Sequence, residues 1–272
     1  MKGTERMQRP LIVIKLGGSA ITDKTRIYTP RIQEITRAAR QVAAISKKFS
    51  LILIHGAGSY GHILVRKHRL ACGFKSTEQL KGLTATKSKL LEWEMIFDRI
   101  FLRHQVRLMP FVASGFILAN DGRIFSAELA PLKHWLRLGC VPSVGGDIVP
   151  DLKRGFSILS GDQLASFLAV KLKATKLIFA TDVDGIFDSD PKLNRKASLI
   201  AGLTPSSAFR LASKSVTKTA LDVTGGMGGK IREAAVAATA GITVCFVNLT
   251  KKERLRRAAF DERVLCSRIL PA

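Results

Sequence analysis

Cysteine is scarce in this chain: four residues in 272, at positions 72, 140, 245 and 266, too far apart for a C-x-x-C pair. That excludes a disulfide framework and gives no sign of a metal site, and it fits reduced thiols in a cytoplasm. No apolar run approaches the roughly 20 residues that a membrane helix needs. The opening MKGTERMQRP also lacks the apolar stretch of a secretion signal. Internal repeats, low-complexity tracts and long Pro/Gly linkers are missing too, so two lobes, if present, share one continuous structure. Their division is expected near residues 170 to 175, with an N-terminal lobe over 1–172 and a C-terminal lobe over 173–272.

Acidic side chains are few: 21 against 44 lysines and arginines, a formal net charge of +23. Such a balance attracts polyanions, with nucleic acid the first suspect. Yet the basic residues are spread along the whole chain. The densest patches, KKERLRR (251–257) and VRKHRL (65–70), read equally well as solvated helix faces. Dispersed charge does not specify a nucleic-acid partner, and a phosphorylated small substrate would gain from the same field.

What is present is apolar and periodic. With 46% apolar residues the chain can bury a substantial core. Short runs rich in Val, Ile and Leu read as buried strands: LIVIKL (11–16), LILIH (51–55), VPSV (141–144), KLIFATDV (176–183) and ITVCFVN (242–248). Between the first two, Ile32, Ile35, Ala38, Ala39, Val42 and Ile45 recur at helical spacing. Further helices are expected over 86–104, 162–173 and 229–240. Strands alternating with helices imply a mostly parallel sheet covered on both faces.

The stretch LILIHGAGSYGH (51–62) runs a strand into G-x-G-x-x-G, at Gly56, Gly58 and Gly61. A dinucleotide loop of this kind opens a β-α-β unit and has an acid about 20 residues on, at the end of the next strand. Glu78 has the spacing, but LACGFKSTEQLKG around it is no apolar strand, and a complete strand and helix already precede the motif. A nicotinamide oxidoreductase is therefore a poor reading. The physics of the loop remains: glycines let backbone N–H groups approach an anion, and a following helix turns its positive end towards it.

Other glycine clusters follow other strands. KLGGSAITDK places Lys15, Gly17, Gly18 and Ser19 at a strand end, with Lys24 nine residues beyond Lys15. LSGDQLA puts Gly161 and Asp162 at a helix start, where Asp162 is suited to cap the helix. TDVDGIFDSDPK follows another strand, and DVTGGMGGKI opens a helix with Gly226 and Lys230. The P-loop pattern G-x-x-x-x-G-K-[ST] does not occur, because Ile231 follows Lys230.

In this combination and order, KLGGS, TDVDGIFDSDP and GGMGGK resemble the amino acid kinase superfamily, over about residues 11 to 248. Within it, HGAGSYGH and TGGMGGKI look most like the branch that phosphorylates isopentenyl monophosphate with ATP; a fosfomycin kinase branch shares the histidine-bearing loop. The resemblance implies a three-layer α/β sandwich around a central, mostly parallel sheet. It also implies an ATP-dependent cytoplasmic kinase, a homodimer like its relatives, that uses Mg²⁺ held mainly by ATP oxygens and water, with a prenyl monophosphate as acceptor.

The resemblance also distributes roles. Lys15 would contact the transferring phosphoryl group, and Gly17, Gly18 and Ser19 would offer donors to the ATP phosphates. Lys24 matches a transition-state-stabilising lysine, and His62 would hold the acceptor phosphate, with Ala57 and Gly161 adding backbone contacts. Gly58, Asp182, Gly226 and Lys230 fall on the ATP side, while Asp162, which cannot bind an anion directly, would orient the catalytic lysines. Tyr60 stands where the family pattern has Phe, which adds a hydroxyl expected near the acceptor pocket. His55 reads as a structural residue at its strand terminus, and Asp184 and Asp190 as turn formers. Leu83, Leu90, Leu91, Ile96 and Phe97 are candidates for the wall around the acceptor's tail, core packing being the competing role for most of them.

Overall fold

Strands buried on both faces need helices on both sides, and the computed structural model, which describes residues 9–214 and 226–271, is built in that way. In chain order its elements are β1 (Leu11–Leu16), α1 (Gly18–Ile21), α2 (Ile32–Ile45), β2 (Ser50–His55), α3 (His62–Lys67), α4 (Glu78–Arg103), β3 (Leu108–Phe111), β4 (Ile117–Asn120), β5 (Arg123–Ala127) and α5 (Ala130–Arg137). There follow β6 (Val141–Gly145), β7 (Asp147–Asp151), β8 (Gly155–Leu159), α6 (Gly161–Lys171), β9 (Lys176–Thr181) and β10 (Gly202–Leu203). The chain then runs through α7 (Pro205–Lys214), α8 (Gly226–Thr239), β11 (Thr243–Asn248), α9 (Arg254–Ala259) and β12 (Ser267–Ile269).

An eight-stranded sheet has the order β10-β12-β11-β9-β1-β2-β6-β3, parallel except where β12 runs against β11. It continues across residues 172 and 173, since β9 lies in register against β1. Side chains alternate across its faces, as the two-residue period of a strand requires. Val13, Ile52, Ile54, Leu177 and Phe179 pack with Leu164 and Leu168 of α6 and Ala234 and Ala238 of α8. Ile12, Ile14, Leu51, Leu53 and Ile178 pack on the other face with Ile35 and Val42 of α2, Trp93 and Phe97 of α4 and Leu255 of α9.

A second sheet, β5-β4-β7-β8, covers the α6 side near the C-terminal strand ends. The sequence reading does not anticipate it: its strands are short, and β5 carries an exposed Phe125 and little buried alternation. Helix α4 begins at Glu78, two turns before the expected 86, because Gly82 and two threonines obscure the periodicity of its first part.

Candidate functional site

In a parallel sheet the turns after neighbouring strands gather at one edge, and ligands bind where the chain reverses its direction of travel across the sheet. That reversal lies at β1: the chain goes on to β2 and β6 on one side and returns to β9 and β11 on the other. The turns after β1 and β2 touch backbone to backbone. A Cβ on Gly56 would stand 2.6 Å from Gly18 N, and one on Gly18 would stand 2.9 Å from Gly58 Cα, so only glycine permits this approach. Gly58 has φ +51°, and Thr22 ties the two turns by donating to Gly18 O at 2.8 Å and accepting from Ser59 N at 3.0 Å.

The first N–H groups of a helix have no intrahelical partner. Here the N–H groups of Gly18 and Ser19, Ala57 and Gly58, and Gly161 and Asp162 make no hydrogen bond among the described residues. They belong to the starts of α1, of the short turn after β2, and of α6. Gly161 and Gly146 lie in close backbone contact, which brings the β6–β7 turn to the start of α6. Ser160, and not Asp162, caps α6: its hydroxyl accepts from Gln163 N at 3.0 Å. Its side chain needs no charge for that, which leaves the Asp162 carboxylate available for other partners.

Those partners are two lysines. Asp162 Oδ1 lies 2.6 Å from Lys15 Nζ, and Lys230 Nζ reaches both carboxylate oxygens, at 2.8 and 2.7 Å. Lys15 shares the strand parity of Val13, which turns it towards α6 and α8, and Lys230 also stands over the Phe179 ring. All three groups are nearly removed from water. Burial pulls the Lys15 ammonium down to about 8, with Asp162 opposing the fall and Lys230 adding to it. Burial alone would raise Asp162, but the two ammonium groups hold it well below the usual carboxylate range.

Of the other expected residues, Asp182 sits beside the β1 turn, accepting from Ser19 Oγ at 3.0 Å and from Lys192 Nζ at 2.6 Å. Asp184 is bonded by Asn248 and Arg254, and Asp190 by the Lys192 N–H. Gly17 donates to Ala180 O at 2.8 Å, so its N–H is spent on the sheet and is not available to a nucleotide. His62 is half-buried at the first position of α3, directly after the glycine turn. Lys24 lies half-buried in the irregular segment between α1 and α2. Gly226 starts α8 with φ +58°, while Gly225 before it is outside the described residues. Tyr60 does not present its hydroxyl to a pocket: it is buried, stacked on Trp93, and donates to Tyr28 O at 2.9 Å.

The sequence reading misses a polar cluster beneath the β2 turn. His55 Nε2 lies 2.8 Å from Glu94 Oε2, Trp93 Nε1 lies 3.2 Å from His55 Nδ1 and 3.1 Å from Gly56 O, and Ser143 donates to Glu94 at 3.3 Å. Nearby Asp98 has one buried oxygen without a partner among the described residues; burial and then Glu94 push its carboxyl up to about 7. The signal in sequence was limited to Glu94 and Asp98 one helical turn apart.

An apolar hollow of about 400 Å³ runs along α4 and is lined by Phe74, Leu83, Lys87, Ser114, Ile148 and Phe156 among others. Of the five proposed wall residues, Leu83 lines it, and Leu90 lies beside the glycine turn, 3.4 Å from where a Cβ on Gly61 would stand. Leu91 is exposed, and Ile96 and Phe97 pack in the core. Lys87, whose place in this wall was not expected, pairs with Asp147 at 2.5 Å and donates to Ser114 Oγ at 2.8 Å.

Residues 10–248 match the model of the amino acid kinase family. The chain is 33% identical over 267 residues to an isopentenyl phosphate kinase of Methanothermobacter thermautotrophicus, covering 95% of this chain and 98% of that one. It is 29% identical to an isopentenyl phosphate kinase of Methanocaldococcus jannaschii, over 81% of this chain and 85% of the other. Among solved structures, an isopentenyl phosphate kinase superposes with a TM-score of 0.82 at 30% identity, over 95% of this chain and 99% of that one.

Proposed function

The chain belongs to the amino acid kinase family, and from that premise we infer that it transfers the γ-phosphoryl group of ATP to isopentenyl phosphate, giving isopentenyl diphosphate and ADP for isoprenoid biosynthesis. The observation that carries this reading is the buried Lys15–Asp162–Lys230 cluster, set among N–H groups from three turns that have no partner among the described residues. A phosphate monoester with a second pKa near ~6 is already a dianion at neutral pH, so it needs no base to become a nucleophile. The obstacle is repulsion: two unit charges about 4 Å apart cost about 4 kcal/mol at an effective dielectric of 20. Prepositioned positive charge and N–H dipoles lower that cost without reorganising during the reaction.

In this reading Lys15 lies against the transferring group, and Lys230 and the Gly18 and Ser19 N–H groups hold the ATP phosphates. Asp162 keeps the two ammonium groups apart and aimed. Gly58 and Asp182 complete the nucleotide side, and Lys24 reaches the transferring group from its own turn. His62 and the N–H groups of Ala57 and Gly161 take the acceptor phosphate, and its tail enters the hollow beside Leu83. Acceptor contacts thus fall within residues 1–172, while the nucleotide draws on both parts of the chain, through Gly18, Ser19 and Gly58 before residue 173 and Asp182 and Lys230 after it.

The donor set suits magnesium carried by ATP. Among the described residues no three His, Cys, Asp or Glu side chains form a metal-holding group, and Asp162 and Asp182 are already paired with lysines. The ion would neutralise charge on the nucleotide phosphates. A homodimer in the cytoplasm belongs to the same reading; no described helix is long and apolar enough to cross a membrane.

The test is ADP release with Mg-ATP and a panel of isopentenyl phosphate, dimethylallyl phosphate, fosfomycin, acetylglutamate and UMP. Prenyl monophosphates should be strongly preferred. Lys15→Ala and His62→Ala should each lower kcat/KM by about 10³-fold or more in folded protein. Turnover of UMP or acetylglutamate alone would overturn the substrate assignment.

A further inference from the structure

His55 ends β2 with its ring on the α4 side of the sheet and only 1% of its surface exposed. The ring lies against Phe97, with centroids 4.4 Å apart, and edge-on to Trp93. A buried histidine can be simple packing, but both nitrogens of this one are engaged. Because the Trp93 indole can only donate, Nδ1 accepts from it, and the proton on Nε2 goes to Glu94. Trp93 divides its N–H between that nitrogen and the carbonyl oxygen of Gly56.

The last contact has a consequence across the peptide bond. The Gly56–Ala57 peptide is planar and trans, so its C=O and N–H point in opposite directions. Holding Gly56 O towards α4 turns the Ala57 N–H away from α4, and that N–H has no partner among the described residues. His55 also supports the facing turn: its backbone oxygen accepts from Gly146 N at 3.0 Å, and its ring fills the space where Gly145 lacks a side chain.

We propose that His55 is a positioning residue for the acceptor: held by Glu94, it fixes the Trp93 indole, which orients the Gly56–Ala57 peptide so that the Ala57 N–H meets the acceptor's phosphate. This rests on the assignment of Ala57 to the acceptor side made above. The imidazole does not touch substrate, and its removal acts through the peptide.

Steady-state kinetics of His55→Leu, His55→Asn, Trp93→Phe and the His55→Leu/Trp93→Phe pair test it, using whichever panel acceptor the wild type turns over fastest. His55→Leu should raise KM for the acceptor about tenfold, leaving KM for ATP within twofold and kcat within threefold. His55→Asn places a carbonyl oxygen near the Nδ1 position and should recover most of the loss. Trp93→Phe should resemble His55→Leu, and the pair should be no worse than either alone. Titration calorimetry with inorganic phosphate should show the same ranking of affinities, and it needs no prenyl group. Equal rises in both KM values, additive losses in the pair, or lowered thermal stability with unchanged KM would each overturn the proposal. Failure of the wild type on prenyl phosphates would overturn the substrate assignment, and the phosphate titration would then decide the role of His55.

Discussion

Lys15 shows how one residue's environment becomes measurable. In the folded protein its ammonium is pulled to about 8, against an ordinary value of 10.5. The native state therefore binds fewer protons than the unfolded chain between those values, so this group's contribution to stability grows as pH rises through that window. Phosphates arriving beside Lys15 favour the charged form and restore its proton. At a pH between those two values, ATP binding should thus be accompanied by proton uptake. Calorimetry in two buffers of different ionisation enthalpy measures this directly. Identical heats in both buffers would refute it, and Lys15→Met should abolish the difference. The Asp162 pKa is lowered too, so its stabilising contribution is present at neutral pH and is lost as pH falls from the ordinary carboxylate range through its depressed value.

The glycine turns carry the next prediction. A Cβ on Gly56 would meet the backbone N and Cα of Gly18 at 2.6 and 2.9 Å, with no flexible side chain to yield. Gly56→Ala should cost about 1–3 kcal/mol of stability and most of the activity, read by denaturant unfolding and ADP release. Gly202→Ala, whose Cβ would meet nothing within 4 Å, is the control and should change activity little. The turns after β1 and β2 were legible in the sequence because both strands are covered on both faces and read as apolar runs that meet glycine, whereas the equally buried β9 and β11 run on into other residues. Strands β4, β5, β7 and β8 were not: they have four or five residues each, one contains Pro150, and β5 is largely exposed. Lys15, Asp162 and Lys230 could each be picked out by motif, but their meeting is a product of topology across 68 residues or more. The His55 cluster left only the Glu94 and Asp98 spacing in the sequence, since the histidine and its carboxylate partner are 39 residues apart.

Over the whole molecule, the formal charge of +23 creates a field that every anionic ligand meets before it reaches the site. Both proposed substrates are anions, so the field should act on encounter, while the buried cluster acts after docking. Salt separates the two, because a Debye length of about 10 Å at 0.1 M shrinks towards about 3 Å at 1 M, screening surface charge far more than the desolvated lysines. Raising NaCl from about 0.05 to 0.5 M should therefore lower kcat/KM for ATP and for the acceptor by about threefold to tenfold, with kcat changed by less than about twofold. A flat kcat/KM would mean that the dispersed charge has no part in substrate capture. A salt-sensitive shift of RNA or DNA at protein concentrations used in the assay would point the charge to a polyanion instead. The kinetic measurement distinguishes these outcomes, because steering acts on kcat/KM of the small anions, whereas a bound polyanion would compete with them and be relieved by the same salt.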